Sequence, residues 1–249
     1  MLTDRFALKP GDRDTCDDPG CEPPKGYAST IPSPCPCPPP LPSDRGRPRL
    51  QGNYCGGTFE GVVEQLDYIT GMGFDAIWIS PVVQNIPCGY HGYWAQHQFE
   101  IEAHFGGAAG LQTLMGACKA KGIAVMLDIV ANHMGPPSSG TDYHEFTPFN
   151  STAHYHGTLA KHCGDTRSNQ HQREICWLAN LGDLKQEDPW VAQQLIKWMA
   201  GLQKTYGFDG VRIDTVPYVN QCAPNTSHEV FKLRCSAALC SVRPLPALD

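Results

Sequence analysis

The chain runs to 249 residues, enough to bury one large core, and carries a mild net charge of −6. No Lys/Arg cluster points to a nucleic-acid or membrane partner, and no apolar run reaches transmembrane length, because Asp, Gly or Pro breaks the longest ones. Twelve cysteines are many for a cytosolic enzyme and predict an oxidising, secreted setting, which the sequons at Asn150 and Asn225 fit. Met1 leads straight into LTDRF without a basic-then-apolar signal segment, so the start of a longer parent protein is expected to be missing.

Residues 17–52 are dense in proline (PSPCPCPPPLPSDRGRPR) and show almost no apolar periodicity. Such a stretch cannot bury enough surface to offset its ordering entropy and is expected to be a disordered insertion. It reads either as a ligand for an SH3-like partner or as untranslated sequence read through, since ordinary sequence resumes abruptly at Asn53. From there the pattern is regular. Thr58 caps a predicted helix to about Thr70, with Phe59, Val62, Val63, Leu66 and Ile69 on one face, and a strand over Phe74–Ser80 follows. A second helix carries Leu111, Leu114 and Cys118, stops at Gly122, and leads into the strand Ile123–Val130, apolar on both faces as buried parallel strands are. Asp188-Pro189 open a third helix that Gly207 stops, and the strand Phe208–Asp214 comes next. Strand alternating with helix predicts an α/β fold with a parallel sheet.

One interval breaks this rhythm. Residues 135–186 separate a strand from its helix by far more than the usual two to six residues, and are expected to form an inserted subdomain stapled by Cys163 and Cys176. Beyond the last strand, 222–249 has neither strand alternation nor a useful helical face and reads as an out-of-frame or intronic tail.

Two short runs carry the chemistry. DIVANH (Asp128–His133) and GVRID (Gly210–Asp214) each sit at the carboxyl end of a predicted strand, where parallel barrels assemble their active sites. Arg212 and Asp214 lie two apart on one strand face, and a guanidinium keeps a neighbouring carboxylate ionised, as a nucleophile must be. A purely structural Arg–Asp pair is the alternative. DxxxNH or RxD alone is a weak signal; the two together, one βα unit apart, are much more specific.

The strings LTDRF, CGGTFEGVVEQLDYITGMGFDAIWISPV, YHGYW, GIAVMLDIVANHMG, ICWLANLGDL and YGFDGVRIDTV, in this order, resemble the α-amylase family of glycoside hydrolases, in particular the secreted fungal type. The resemblance covers most of 53–219 and the first residues. It implies a partial (β/α)₈ TIM barrel, about the first half, with a domain B inserted after the third strand. Residues 1–16 would start the barrel with its first strand truncated, 53–134 and 187–221 would be barrel, and 135–186 domain B. The implied activity is endo-hydrolysis of α-1,4-glucosidic bonds in starch or glycogen by a retaining mechanism, in a monomer with a glucan substrate. Asp214 would be the nucleophile and Arg212 its orienting partner; His133 would bind sugar hydroxyls, Asp128 would brace the region, and His91, Tyr93 and Trp94 would form a substrate wall. For Trp94 plain packing is as good a reading.

The resemblance also implies Ca²⁺, held by Asn132, Glu174, Asp183 and the carbonyl of Tyr218, all oxygen donors that suit a hard cation, and disulfides Cys163–Cys176 and Cys16–Cys55. Three departures stand out. Pro217-Tyr218 occupy the place of a Lys-His pair that binds leaving-side sugars. His97 stands where relatives carry Asp. The general-acid Glu and a third catalytic Asp would follow later strands, so this fragment is expected to be inactive. The rival readings are a 4-α-glucanotransferase or α-glucosidase on the same scaffold, and a non-catalytic glucan-binding remnant.

Overall fold

The computed structural model describes residues 1–12, 54–138, 142–157 and 169–220. The proline-rich stretch, the tail 222–249, Asn225, Cys16 and Cys163 lie outside them. The described elements run in the order α1 (Thr3–Phe6), α2 (Phe59–Glu64), α3 (Leu66–Gly71), β1 (Ala76–Ile79), β2 (Val83–Asn85), β3 (Ala95–Ile101), α4 (Gly107–Lys121), β4 (Ala124–Ile129), α5 (Gln170–Ile175), α6 (Pro189–Tyr206) and β5 (Gly210–Ile213).

Three strands make a parallel sheet in the order β1-β4-β5. Their alternation sorts the side chains. Ile77 and Ile79 of β1 and Val125 and Leu127 of β4 are buried in one cluster with Phe59, Val62 and Leu66, with Leu111 and Leu114 of α4, and with Val191, Leu195 and Trp198 of α6. Trp78 and Met126, partners in the register, point to the opposite face and stay 45% and 41% exposed. The helices thus cover one face, and the other carries the strand-end polar groups, as in a parallel barrel.

The helix signals act where the sequence puts them. Thr58 Oγ1 accepts from the Gly61 amide at 3.0 Å, and Asp188 Oδ1 from the amides of Trp190 and Val191 at 2.8 and 3.3 Å. Gly122 and Gly207 end α4 and α6 in the left-handed conformation, with φ of 72° and 67°. The predicted helix 58–70 is instead two helices. At Gln65 the backbone turns to φ −100°, ψ 6°, and its amide donates to Val62 O, a tighter three-residue step, while Phe59, Val62, Leu66 and Ile69 keep facing the core. The strands are shorter than predicted because ladder partners exist only for Ala76–Ile79, Ala124–Ile129 and Gly210–Ile213.

The long interval is tied to β3: Gln98 N donates to Thr147 O at 2.8 Å and Thr147 N to Gln96 O at 2.9 Å. Its Tyr143 and Tyr155 rings stack at 3.7 Å, and with Phe146, Phe149 and Leu184 they join the same buried cluster as the sheet.

A polar network fixes the loop 86–94 that leads into β3. Glu102, buried, accepts from the Asn85 amide at 2.8 Å; Asn85 Oδ1 in turn accepts from the Trp94 amide at 2.6 Å. Within the loop only glycine fits at 92: φ is 87°, and a Cβ would stand 2.5 Å from Pro81 O. The outer end of the network is His104, whose Nδ1 lies 2.7 Å from Glu102 Oε1 and whose ring stacks on Tyr54 at 3.8 Å.

Burial opposes the Glu102 charge, but His104 and the amides of Asn85 and His104 outweigh it and hold the carboxyl below its ordinary 4.5. Glu102 in turn raises His104 above its ordinary 6.5. The stability this pair contributes is therefore complete between pH 4.5 and 6.5. It is lost at lower pH as Glu102 protonates through its depressed folded value, and at higher pH as His104 deprotonates through its raised one. The urea midpoint of His104→Ala is expected to fall further below wild type at about pH 5.5 than at about pH 9; equal deficits would show that only the Tyr54 stacking matters.

Candidate active site

Four of the expected residues converge beyond the carboxyl ends of the strands. The register sets Asp128 beside Arg212. Arg212 Nη1 lies 3.0 and 3.1 Å from the two Asp128 oxygens and 2.6 Å from Asp214 Oδ1, so one guanidinium holds two carboxylates. The Tyr93 hydroxyl donates to Asp128 Oδ2 at 2.7 Å. Asp128 is buried and fully engaged, whereas the Asp214 side chain is 15% exposed. Burial opposes the charge of Arg212, but Asp128 and Asp214 outweigh it and raise its pKa further. Burial lifts the Asp128 carboxyl, with Tyr93 and Arg212 pulling it back down.

Asp214 directly follows β5, and its amide donates to Ile129 O at 2.9 Å. The next residue, Thr215, takes φ 51°, which a β-branched side chain adopts only under constraint from its surroundings. This turn directs the chain away from the sheet as soon as the carboxylate is placed.

The two histidines present opposite polarity. His91 Nδ1 accepts from the Tyr93 amide at 3.0 Å, which leaves its proton on Nε2. Burial, with His133 and Arg5 nearby, pushes its pKa down to about 4, so the ring is neutral. His133 is buried and its Nδ1 faces Met134 O at 3.1 Å, so Nδ1 donates and Nε2 is left as an acceptor. Burial lowers its pKa as well. Tyr93 lies 5.8 Å from His91 in a stacked arrangement, and Trp94 meets the His91 edge at 4.6 Å while packing on the core. The result is a cleft floor of shared carboxylates, one neutral donor, one neutral acceptor and an aromatic wall.

A second polar cluster lies alongside. The backbones of Asn132 and Leu184 bond at 2.8 Å, and His133 bridges to Asp183, which brings Asn132 against Asp183. Both are buried, and Asn132 Oδ1, Asn132 Nδ2 and Asp183 Oδ1 make no hydrogen bond. Burial pushes the Asp183 carboxyl up to about 7. Glu174 stands in a different group: Gln170 Nε2 donates to its Oε1 at 2.8 Å and to Pro217 O at 3.0 Å, joining α5 to the turn that carries Tyr218. Among the described residues no three His, Cys, Asp or Glu side chains converge as a group that could hold a metal ion. What remains is an amide and a carboxylate oxygen, a hard donor set.

Sequence reasoning overlooked four contributors. Trp78, whose ring centre is 5.3 Å from the Arg212 guanidinium carbon, shares the sheet face of Asp128 and Arg212, which is visible only once the register is known. Asn85 and Gln170 act by linking distant segments and have no motif of their own. His156, with Asp183 and Glu187 on its two ring nitrogens, is the fourth. Cys55 and Cys176 are each disulfide-bonded, and their expected partners, Cys16 and Cys163, lie outside the described residues.

The family model described as "Alpha amylase, catalytic domain" matches residues 1–236. The chain is 41% identical over 181 residues to an α-amylase of Saccharomycopsis fibuligera, covering 68% of this chain and 36% of that protein. It is 39% identical over 180 residues to α-amylase 2 of Schwanniomyces occidentalis, with 68% and 35% covered. Among solved structures, an α-amylase from Malbranchea cinnamomea superposes with a TM-score of 0.68 at 35% identity, covering 88% of this chain and 42% of that one. The α-amylase of Geobacillus thermoleovorans complexed with acarbose gives 0.64 at 33%, covering 77% and 40%. The chain thus spans about a third of the length of these curated relatives. The partial parallel barrel, the strand-end Arg-and-carboxylate cluster and these matches together make the chain a member of the α-amylase family of glycoside hydrolases.

Proposed function

We propose that the chain forms the nucleophile side of a retaining α-1,4-glucan hydrolase cleft acting on starch or glycogen, in a secreted protein. The observation that carries this reading is Arg212 holding Asp214 at 2.6 Å while Asp128 is wholly occupied by Arg212 and Tyr93. Held by Arg212 and partly exposed, Asp214 attacks the anomeric carbon, the glycosidic C–O bond breaks, and a glycosyl ester forms. Water then attacks the same carbon, giving its proton to the group that protonated the leaving oxygen, the ester C–O bond breaks to return the Asp214 carboxylate, and two inversions give net retention. Neutral His91 offers a donor and neutral His133 an acceptor to the hydroxyls of the sugar, with Tyr93 as the aromatic wall.

The leaving oxygen needs a proton. Asp128 cannot supply it, because both its oxygens are already hydrogen-bonded. A general acid contributes roughly 10²–10⁴-fold to such reactions, so the 249-residue chain by itself is expected to turn over natural starch poorly or not at all. An α-maltosyl fluoride bypasses this need, since fluoride departs with little protonation. Mass spectrometry after incubation with a fluorinated form of that sugar is expected to find the adduct on the peptide containing Asp214, and none in Asp214→Asn. An unlabelled wild type, or a labelled variant, would overturn the assignment. A transferase reading is favoured by one observation: Pro217 has no amide and its carbonyl is taken by Gln170. Longer oligosaccharides formed from maltooligosaccharide by a chain carrying the complete barrel would establish it.

Calcium fits the second cluster, as its donors are oxygens and two of them are buried without partners. Asn132 and Asp183 would hold it from this cluster, with Glu174 and the Tyr218 carbonyl reaching it from the neighbouring group that Gln170 joins, and when bound it supplies positive charge that ties the loop after β4 to the segment around Asp183. Calcium at a hundredfold over its dissociation constant should raise the melting temperature by about 5–10 °C. A chelator should reverse the gain and Asp183→Asn abolish it; a chain indifferent to both would exclude the ion.

A further inference from the structure

We propose that His156 is the positioning residue of this cation cluster: it clasps Asp183 by one carboxylate oxygen so that the other is presented, bare, beside Asn132. The inference rests on the calcium reading above. His156 Nδ1 lies 2.6 Å from Asp183 Oδ2 and Nε2 lies 2.9 Å from Glu187 Oε1, so the ring is gripped from both ends. Its backbone is fixed as firmly: the His156 amide donates to Asp183 O at 2.9 Å, and the Trp177 indole donates to His156 O at 2.9 Å. Glu187 is steadied in turn by Asn220 Nδ2, 3.3 Å from its Oε2. The asymmetry at Asp183 is the telling feature. Oδ2 has a close partner, whereas Oδ1, equally buried, meets only the Asn132 side chain and makes no hydrogen bond of good geometry.

A carboxylate with one oxygen engaged rotates less and offers a single oxygen to a cation, which lowers the ordering cost of binding. Outer partners that orient metal-binding groups in this manner typically matter 10–100-fold in metal affinity. The tie also spans sequence, since His156 lies in the middle of the long interval, Asp183 at its end and Glu187 just before α6. The clasp therefore couples the cation cluster to the packing of that interval on the sheet.

The experiment measures calcium affinity of the whole chain by competition with a fluorescent chelator. Asn places its amide nitrogen near the position of imidazole Nδ1, whereas Gln reaches the position of Nε2. His156→Gln, which gives up the Asp183 contact, is expected to weaken calcium roughly 10–100-fold. His156→Asn, which retains a donor to Asp183, should recover most of that loss, a rescue that mere packing would not produce. Glu187→Ala, at a solvent-exposed position, loosens the ring from outside and should weaken calcium by less; it also decides the matter if His156→Gln fails to fold. Unchanged affinity in His156→Gln or Glu187→Ala, or equal losses in the Asn and Gln variants, would overturn the clasp while leaving the calcium site standing. A wild type that takes up no calcium would remove both.

Discussion

One guanidinium shared between two carboxylates organises the site. Arg212 reaches Asp128 and Asp214 together, and each contact depends on the pairing of β4 with β5, which sets residue 128 opposite residue 212. A slip of one residue would send Arg212 to the helix-covered face, where a guanidinium has no partner and apolar side chains close in. The hydrophobic core therefore does more than hold the chain together. By burying Ile77, Ile79, Val125 and Leu127 on one side, it obliges the polar residues between and beyond them to meet on the other.

The division of labour between the two carboxylates follows from their surroundings. Asp128 is buried and saturated by Tyr93 and Arg212, so it acts as a fixed negative wall that orients the guanidinium. Asp214 lies beyond the last strand residue, shares the same guanidinium nitrogen through one oxygen, and is only partly buried. Two chemically identical groups thus differ in burial and bonding, and the distinction comes from position alone.

How much of this could be read in the sequence varied with the range of the interaction. Local signals sufficed for the start of α2, the end of α4 and both ends of α6, because Thr58, Asp188, Gly122 and Gly207 act within one turn of themselves. The spacing of Arg212 and Asp214, and of Asp128 and His133, placed both pairs at strand ends. The break at Gln65 was not legible, since the apolar face of α2 and α3 continues across it unchanged. Nor were the roles of Trp78, Asn85, Gln170 and His156, each of which makes its decisive contact through the fold: 5.3 Å from Arg212, 2.6 Å from Trp94, 3.0 Å from Pro217 and 2.6 Å from Asp183. Loop length marked 135–186 as a long interval, whereas the sharing of one buried cluster by Tyr143, Phe149 and the sheet was not legible.

The tautomer of His91 has a consequence for the chemistry of recognition. Its Nδ1 is committed to a backbone amide and its pKa is driven to about 4, so the exposed edge of the ring presents the same donor from mildly acidic to strongly basic solution. Hydroxyl groups do not ionise in that range either. On the proposed reading, the grip on a sugar is thus electrically silent, and any acidity profile of the proposed reaction would originate in the carboxyl groups.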